Sequence, residues 1–269
     1  QIDNDWHYLE AIKICVALAG LVHDWGKAWD AFQDLLRENK HSDHIRHEFV
    51  SLLFWSAFVC GRSPEKWLAD LQKTSELHEQ ELIIRAGTYL EKDESPFKDL
   101  NDPFSLLIGW LIVAHHMLPH PCYDSISPCA SSETLLNLMD SEWGYVKKQV
   151  SEKSEWKFSR GLPCRSTRWN KQAAKWAKRG ENILQNNDSV KNELKNALRP
   201  MAVLARTALM IGDHESSRKA TEEKGNNKNS QRDKGNDQQD ELWAKSNNKE
   251  NKSSPVLLDS HLLDATTEA

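Results

Sequence analysis

Histidine and aspartate side chains stand near the ends of apolar segments in this 269-residue chain. His23-Asp24 and His115-His116 have this placement, Asp213 follows Leu-Met-Ile, and His47 lies inside a predicted helix. Neutral imidazoles ligate transition metals, and a carboxylate can bridge two cations. A hydrogen-bonded core histidine or a helix cap explains any one of them. The repetition favours a metal site, because polar groups beside a core cost free energy unless they are satisfied.

Lys27 adds a cation to the His-Asp pair. It stands four residues after His23, one turn away on a continuous helix. An ammonium group there would offset the negative charge that develops on a phosphoryl group. A His-Asp pair alone is a common coincidence, so this interpretation depends on the other histidines.

The elements that position these residues are expected to be helices, because apolar residues recur at three- and four-residue spacing. No alternating pattern of strand length and no glycine-rich phosphate loop is present, so the predicted fold class is all-α. The expected helices cover 5–22, 28–39, 43–60, one or two within 65–91, 104–117, 131–152, 168–198 and 201–213.

Composition excludes several classes of protein. Hydrophobic residues make up 39% of the chain. No apolar run reaches the roughly 18 residues of a membrane span, and no signal peptide is recognised. The five cysteines are scattered without a CxxC pair, which argues against a zinc ribbon and a disulfide framework. We expect a cytoplasmic protein that does not associate with a membrane.

The sequence predicts three regions. Residues 1–218 carry the periodic apolar pattern and form the expected folded domain. Residues 219–254 are almost entirely polar and are expected to be a disordered linker or a mobile loop. Residues 255–269 regain apolar character and are expected to begin a following segment. The chain opens without Met, so it is expected to be part of a longer protein.

Residues 147–199 hold fourteen Lys or Arg and five Asp or Glu, whereas the whole chain has a net charge of −5. Tryptophans are interleaved with these charges, and the chain has 11 of them. Cations can follow phosphates while exposed rings stack on unpaired bases. A solvated helical face with buried tryptophans explains the pattern equally well. The candidate DNA-binding residues are Lys157, Arg160, Arg165, Arg168, Trp169 and Lys175.

Four segments in a fixed order carry a family resemblance: LAGLVHDWGKAWDAFQ, RHEFVSL, AHHMLP and LMIGDHESS. Together they resemble the HD nuclease domain of the CRISPR-associated type I helicase-nucleases, in particular those of subtype I-F. The tail VLLDSHLLDA is similar to the segment that precedes the helicase in that family. The resemblance implies an all-α HD-domain helical bundle whose metal site is built from helix ends.

The resemblance also implies a site with two divalent metal ions. By position it assigns these residues: His23 and Asp24 as the HD pair with Asp24 bridging, Asp213 on the first metal, His47, His115 and His116 on the second, and Lys27 as the lysine after the pair. The family has one more upstream histidine, which is either His7 or absent from this chain. Histidine-rich ligation favours Mn, Co, Ni or Fe, with Mg possible.

The function that the resemblance implies is metal-dependent endonucleolytic hydrolysis of single-stranded DNA in CRISPR interference, an antiviral defence. The implied partners are a helicase domain of the same polypeptide and the CRISPR surveillance complex. No Walker A motif is present, so the helicase motor is expected to lie outside this chain. Two alternatives remain: an HD phosphohydrolase acting on nucleotides or cyclic nucleotides, and a non-catalytic interaction domain with an HD fold.

Overall fold

The computed structural model describes residues 8–38, 45–73, 78–92, 94–118, 155–186, 198, 200–216 and 218. These residues form helices and turns without a β-strand, which confirms the all-α prediction. The helices are α1 (Leu9–Val22), α2 (Asp30–Glu38), α3 (His47–Val59), α4 (Pro64–Leu71), α5 (Glu79–Lys92), α6 (Pro103–Ala114), α7 (Thr167–Asn186) and α8 (200–216). Short 3-10 helices lie at Trp25–Ala28, Pro96–Asp99 and Pro163–Arg165.

The centre of the bundle consists of α1, α3 and α6. Nearly every residue of these three helices is buried, as expected for helices that are apolar on all sides. α6 packs against both α1 and α3, while α5 covers α3 and α7 covers α1. The C-terminal ends of α1 and α6 therefore meet the N-terminal end of α3.

Helix α7 runs antiparallel to α1. Near its start, the Trp169 indole donates to the Leu21 carbonyl at 2.7 Å. Further along, Arg179 Nε donates to the Glu10 carboxylate at the other end of α1, at 2.8 Å. The first turn of α7 thus lies at the end of α1 that leads into His23.

Helix ends differ from the sequence prediction where local bonds stop the helix. α6 begins at Pro103, where the Asp102 carboxylate accepts two backbone N–H groups at 2.9 Å. It ends at Ala114, three residues before the predicted end, so His115 and His116 lie in the following turn. α3 ends where Cys60 adopts a left-handed conformation with φ of 48°.

The described tryptophans are in the core or at its edge, which favours the alternative of buried tryptophans over exposed rings for base stacking. Among the residues that the structure describes, every tryptophan is buried or half-buried. The buried ones are Trp25, Trp29, Trp55, Trp67, Trp169 and Trp176, and the half-buried ones are Trp110 and Trp156.

Several predictions fall on residues that the structure does not describe. They are the upstream ligand His7, the helix over 131–152, the polar region 219–254 and the segment 255–269. Within the described part of the chain, no helix has the length and apolar character that a membrane span requires.

Candidate metal centre

Four side chains from three parts of the bundle converge at one point. Asp24 follows the end of α1, His47 is the first residue of α3, and His115 and His116 follow the end of α6. One ligand atom from each of these residues lies within 4.8 Å of all the others. Asp24 Oδ1 and His47 Nε2 are 3.5 Å apart. This spacing can hold a metal ion.

His23 and Asp213 extend the cluster on the other side of Asp24. His23 Nε2 lies 3.4 Å from Asp24 Oδ2 and 3.9 Å from Asp213 Oδ1. Asp24 is thus shared between two groups of side chains. The sequence predicted that α8 ends at Asp213. The helix instead continues past it, since residues 214–216 are helical as well.

The rings of His23 and His115 are held in place by the backbone. Each histidine caps a helix and bonds a carbonyl group of that same helix. His23 Nδ1 donates to the Gly20 carbonyl at 2.9 Å, and His115 Nδ1 donates to the Ile112 carbonyl at 2.6 Å. A carbonyl only accepts, so Nδ1 carries the hydrogen and Nε2 of the neutral ring keeps its lone pair. Metal-ligating histidines are commonly oriented by such a bond.

The atoms that face the centre lack hydrogen-bond partners among the described residues. These buried atoms are His23 Nε2, Asp24 Oδ1, His47 Nε2 and His115 Nε2. Burying a polar atom without a partner costs free energy, and a divalent cation would satisfy all four of them. The cluster therefore fits a metal ion held by nitrogen and carboxylate ligands.

Glu48 supports the His47 ring, a role that the sequence prediction missed. Glu48 Oε2 lies 3.3 Å from His47 Nδ1, and the Arg46 guanidinium bonds the other oxygen at 2.5 Å. Burial raises the pKa of Glu48, but the lowering by His47 and Arg46 outweighs it, and the pKa falls to about 2. The consecutive residues Arg46, His47 and Glu48 could have indicated this role, because the carboxylate of Glu48 is next in sequence to the ligand His47.

Lys27 donates a hydrogen bond to Asp24 Oδ2, and both side chains are buried. Burial alone raises the pKa of Asp24. His23, Lys27 and His47 together hold it well below its usual range. Asp24 is therefore an ionised carboxylate whose second oxygen, Oδ1, remains available to a cation.

The histidines divide by the charges around them. Burial and the neighbouring His23 hold the pKa of His115 well below its usual 6.5. Burial also lowers the pKa of His23, but the carboxylates of Asp24 and Asp213 outweigh it and raise the pKa above 6.5. His115 is thus a neutral ligand candidate. In the metal-free chain the carboxylates favour a proton on His23, which a metal ion bound there would displace.

Gly26 allows the turn after α1 to contact the backbone of α3, which the sequence prediction did not foresee. Its N–H donates to Ser51 Oγ at 2.8 Å, and Ser51 Oγ donates to the His47 carbonyl at 2.9 Å. A Cβ at residue 26 would lie only 2.8 Å from the His47 carbonyl carbon. This close approach brings Asp24 beside His47.

Two curated relatives carry the name "CRISPR-associated nuclease/helicase Cas3 subtype I-F/YPEST". The protein of Pseudomonas aeruginosa is 36% identical over 184 residues, which cover 64% of this chain and 16% of the relative. That of Pectobacterium atrosepticum is 32% identical over 235 residues, covering 80% of this chain and 21% of the relative. The chain is related to a segment of the Cas3 subtype I-F proteins.

The chain spans at most about a fifth of the length of these Cas3 relatives, with 21% the larger share. No protein-family model matches the chain. The search of solved structures likewise gave no significant match. The relation to Cas3 therefore comes from the sequence matches, while the ligand cluster comes from the geometry.

The candidate DNA-binding residues of this Cas3-related chain differ in exposure, and Arg168 is half-buried. Lys157, Arg160 and Lys175 are exposed, and the Arg165 guanidinium pairs with Glu79. Trp169 is 1% exposed, so its ring offers no face to a base. This corrects the expectation for Trp169, whose indole bonds the backbone of α1 instead.

We expect His116 to make the metal-free chain less stable in mild acid. Burial and the nearby His47 lower the pKa of His116 from 6.5 to about 4. Between these values the unfolded chain binds more protons, so stability falls as the pH drops through this window. Urea unfolding in EDTA should show a smaller fall for His116→Asn. An equal fall in both proteins would contradict this.

Proposed function

We propose that this chain hydrolyses phosphodiester bonds of single-stranded DNA with divalent metal ions bound at the His/Asp cluster. The main support is the set of buried, unpartnered nitrogen and carboxylate atoms that converge around Asp24. The names of the relatives add that their polypeptides combine a nuclease with a helicase in a CRISPR system. We also propose that the chain cleaves inside a strand, in the cytoplasm, as part of antiviral defence.

The proposed ligands form two groups that share Asp24. His47, His115 and His116 would hold one ion with Asp24, and His23 with Asp213 would hold the other. Nitrogen-rich ligation favours Mn, Co, Ni or Fe over Mg. Ions at these positions would supply Lewis-acid stabilisation of the scissile phosphate and activation of a water molecule.

The chain's own residues prepare this chemistry. The Lys27 ammonium holds Asp24 ionised and places positive charge beside the phosphate. Glu48 fixes the His47 ring through Nδ1, which leaves Nε2 toward the centre. His116 is neutral at pH 7, so its ring can ligate without first losing a proton. We propose the helicase part of the full polypeptide and the surveillance complex as the partners that deliver the strand.

The test is cleavage of circular single-stranded DNA by the purified chain with Mn²⁺, Co²⁺, Ni²⁺, Mg²⁺ or EDTA. We expect cutting with transition metals and none in EDTA. A circular substrate has no ends, so its linearisation demonstrates endonucleolytic attack. Turnover of free nucleotides without DNA cleavage would instead indicate a small-molecule phosphohydrolase. Binding without turnover under any metal would indicate a non-catalytic domain.

A further inference from the structure

The solvent-facing side of α7 carries a row of cations formed by Arg168, Lys171, Lys175 and Lys178. At 100° per residue these four side chains lie within about 80° of one another around the helix axis. The opposite side of α7 is buried in the core through Trp169, Ala173, Trp176, Ala177 and Leu184. The three lysines of the row are exposed to solvent, and Arg168 at its start is half-buried.

Helix stability does not account for this cation row. Glu181 is the one acidic residue of α7, and it accepts a hydrogen bond from Gln72 at 3.0 Å. Among the described residues, no acidic side chain forms an ion pair with Lys171, Lys175 or Lys178. Like charges three and four residues apart destabilise a helix. In a chain of net charge −5, their concentration here indicates an anionic partner.

The cation row begins near the candidate metal centre. Trp169, next to Arg168, bonds the carbonyl of Leu21, two residues before His23. Because α7 runs antiparallel to α1, the row leads from this end of the bundle toward the other. From Arg168 to Lys178 the row extends about 15 Å along the helix axis.

We propose that the cation row binds the phosphate backbone of the single-stranded DNA that the His/Asp cluster cleaves. This inference rests on the proposed function for its substrate. Because the described tryptophans are not exposed, charge rather than base stacking provides the contact on this helix. Binding is then independent of base sequence and strongly dependent on salt.

The test is the anisotropy of a fluorescein-labelled oligothymidylate, titrated in EDTA at several salt concentrations. The variant replaces Lys171, Lys175 and Lys178 with glutamine. Each phosphate contact to a single strand contributes about 0.7 to the slope of log affinity against log salt, so three lost contacts reduce it by about 2. On the same basis, affinity at low salt should fall by more than about tenfold.

A matched control replaces the exposed Lys66, Lys73 and Lys92, which lie on or beside α4 and α5. It removes the same charge from helices other than α7 and should change affinity by less than about threefold, through net charge alone. Thermal unfolding checks that both variants fold. The single change Lys175→Gln, expected to reduce the slope by about 0.7, repeats the test if the triple variant melts early.

The outcomes separate this inference from the proposed function. Equal affinity in the row variant and the control variant, or no salt-dependent binding by the unsubstituted chain, overturns the cation row as a DNA site. Weakened binding in the row variant supports it, even if no metal gives cleavage. In that case the proposed hydrolysis fails while the DNA-binding surface stands.

Discussion

The Asp24→Asn variant is expected to lose metal-dependent cleavage of circular single-stranded DNA by more than about 100-fold. Loss of a group that merely supports a metal ligand costs about 10- to 100-fold, and Asp24 contacts the centre itself. Its Oδ1 lies 3.5 Å from His47 Nε2, and asparagine offers only a neutral oxygen there. Cleavage and Mn²⁺ titration by calorimetry measure the two consequences separately.

Folding must be separated from chemistry in this experiment, because Asp24 also pairs with the buried Lys27. Removing one partner of a buried ion pair costs about 3–5 kcal/mol. The double variant Asp24→Asn, Lys27→Met removes both charges and should recover most of that stability in urea unfolding. We expect it to remain without cleavage.

The control is Asp34→Asn on α2, where the carboxylate is 59% exposed. This variant should cleave DNA and bind Mn²⁺ as the unsubstituted chain does. If the folded Asp24→Asn protein cleaves DNA within about tenfold of the control, Asp24 is not a ligand of the catalytic metal.

The Gly26→Ala variant is expected to be less stable by about 3 kcal/mol, the upper part of the range for overpacking a core. The added methyl group would overlap the His47 carbonyl, which belongs to the backbone of α3 and cannot rotate away. Relief requires the turn after α1 to separate from α3, which moves Asp24 away from His47. Urea unfolding and Mn²⁺ titration should therefore both show a loss.

Gly180→Ala is the matched control within α7. A Cβ there meets only side-chain methyl groups, at 3.0 Å from the nearest atom of Leu68. These groups can shift, and alanine favours a helix over glycine by about 1 kcal/mol. We expect little change in stability and none in Mn²⁺ affinity. Unchanged stability in Gly26→Ala would show that the close approach to His47 is not required.

The sequence was sufficient to predict the helices of the core and the residue types of the centre. The core helices have long apolar runs, and a polar residue at the end of such a run is conspicuous. His23, Asp24 and His115 were found in this way, and the structure places all three in one cluster. Core helices can be predicted from hydrophobic periodicity, because the periodic pattern involves only residues that are close along the chain.

Contacts between distant segments could not be predicted in the same way. Trp169 was expected to meet DNA because cations surround it in sequence. The ring is instead buried, and its indole donates a hydrogen bond to the carbonyl of Leu21, 148 residues away. The contact of Gly26 with α3 and the support that Glu48 gives His47 also depend on tertiary structure. His7 stays a prediction, since it lies outside the described residues.

Two helices end at the centre with residues that cap them, His23 on α1 and His115 on α6. A helix C-terminus carries a partial negative charge of about half an electron. At the centre these two ends add negative partial charge to that of the Asp24 and Asp213 carboxylates. Under the proposed function, this partial charge would favour a divalent cation at the centre over a phosphodiester without its metal ions. We therefore expect the cluster to bind divalent cations in the absence of any nucleic acid.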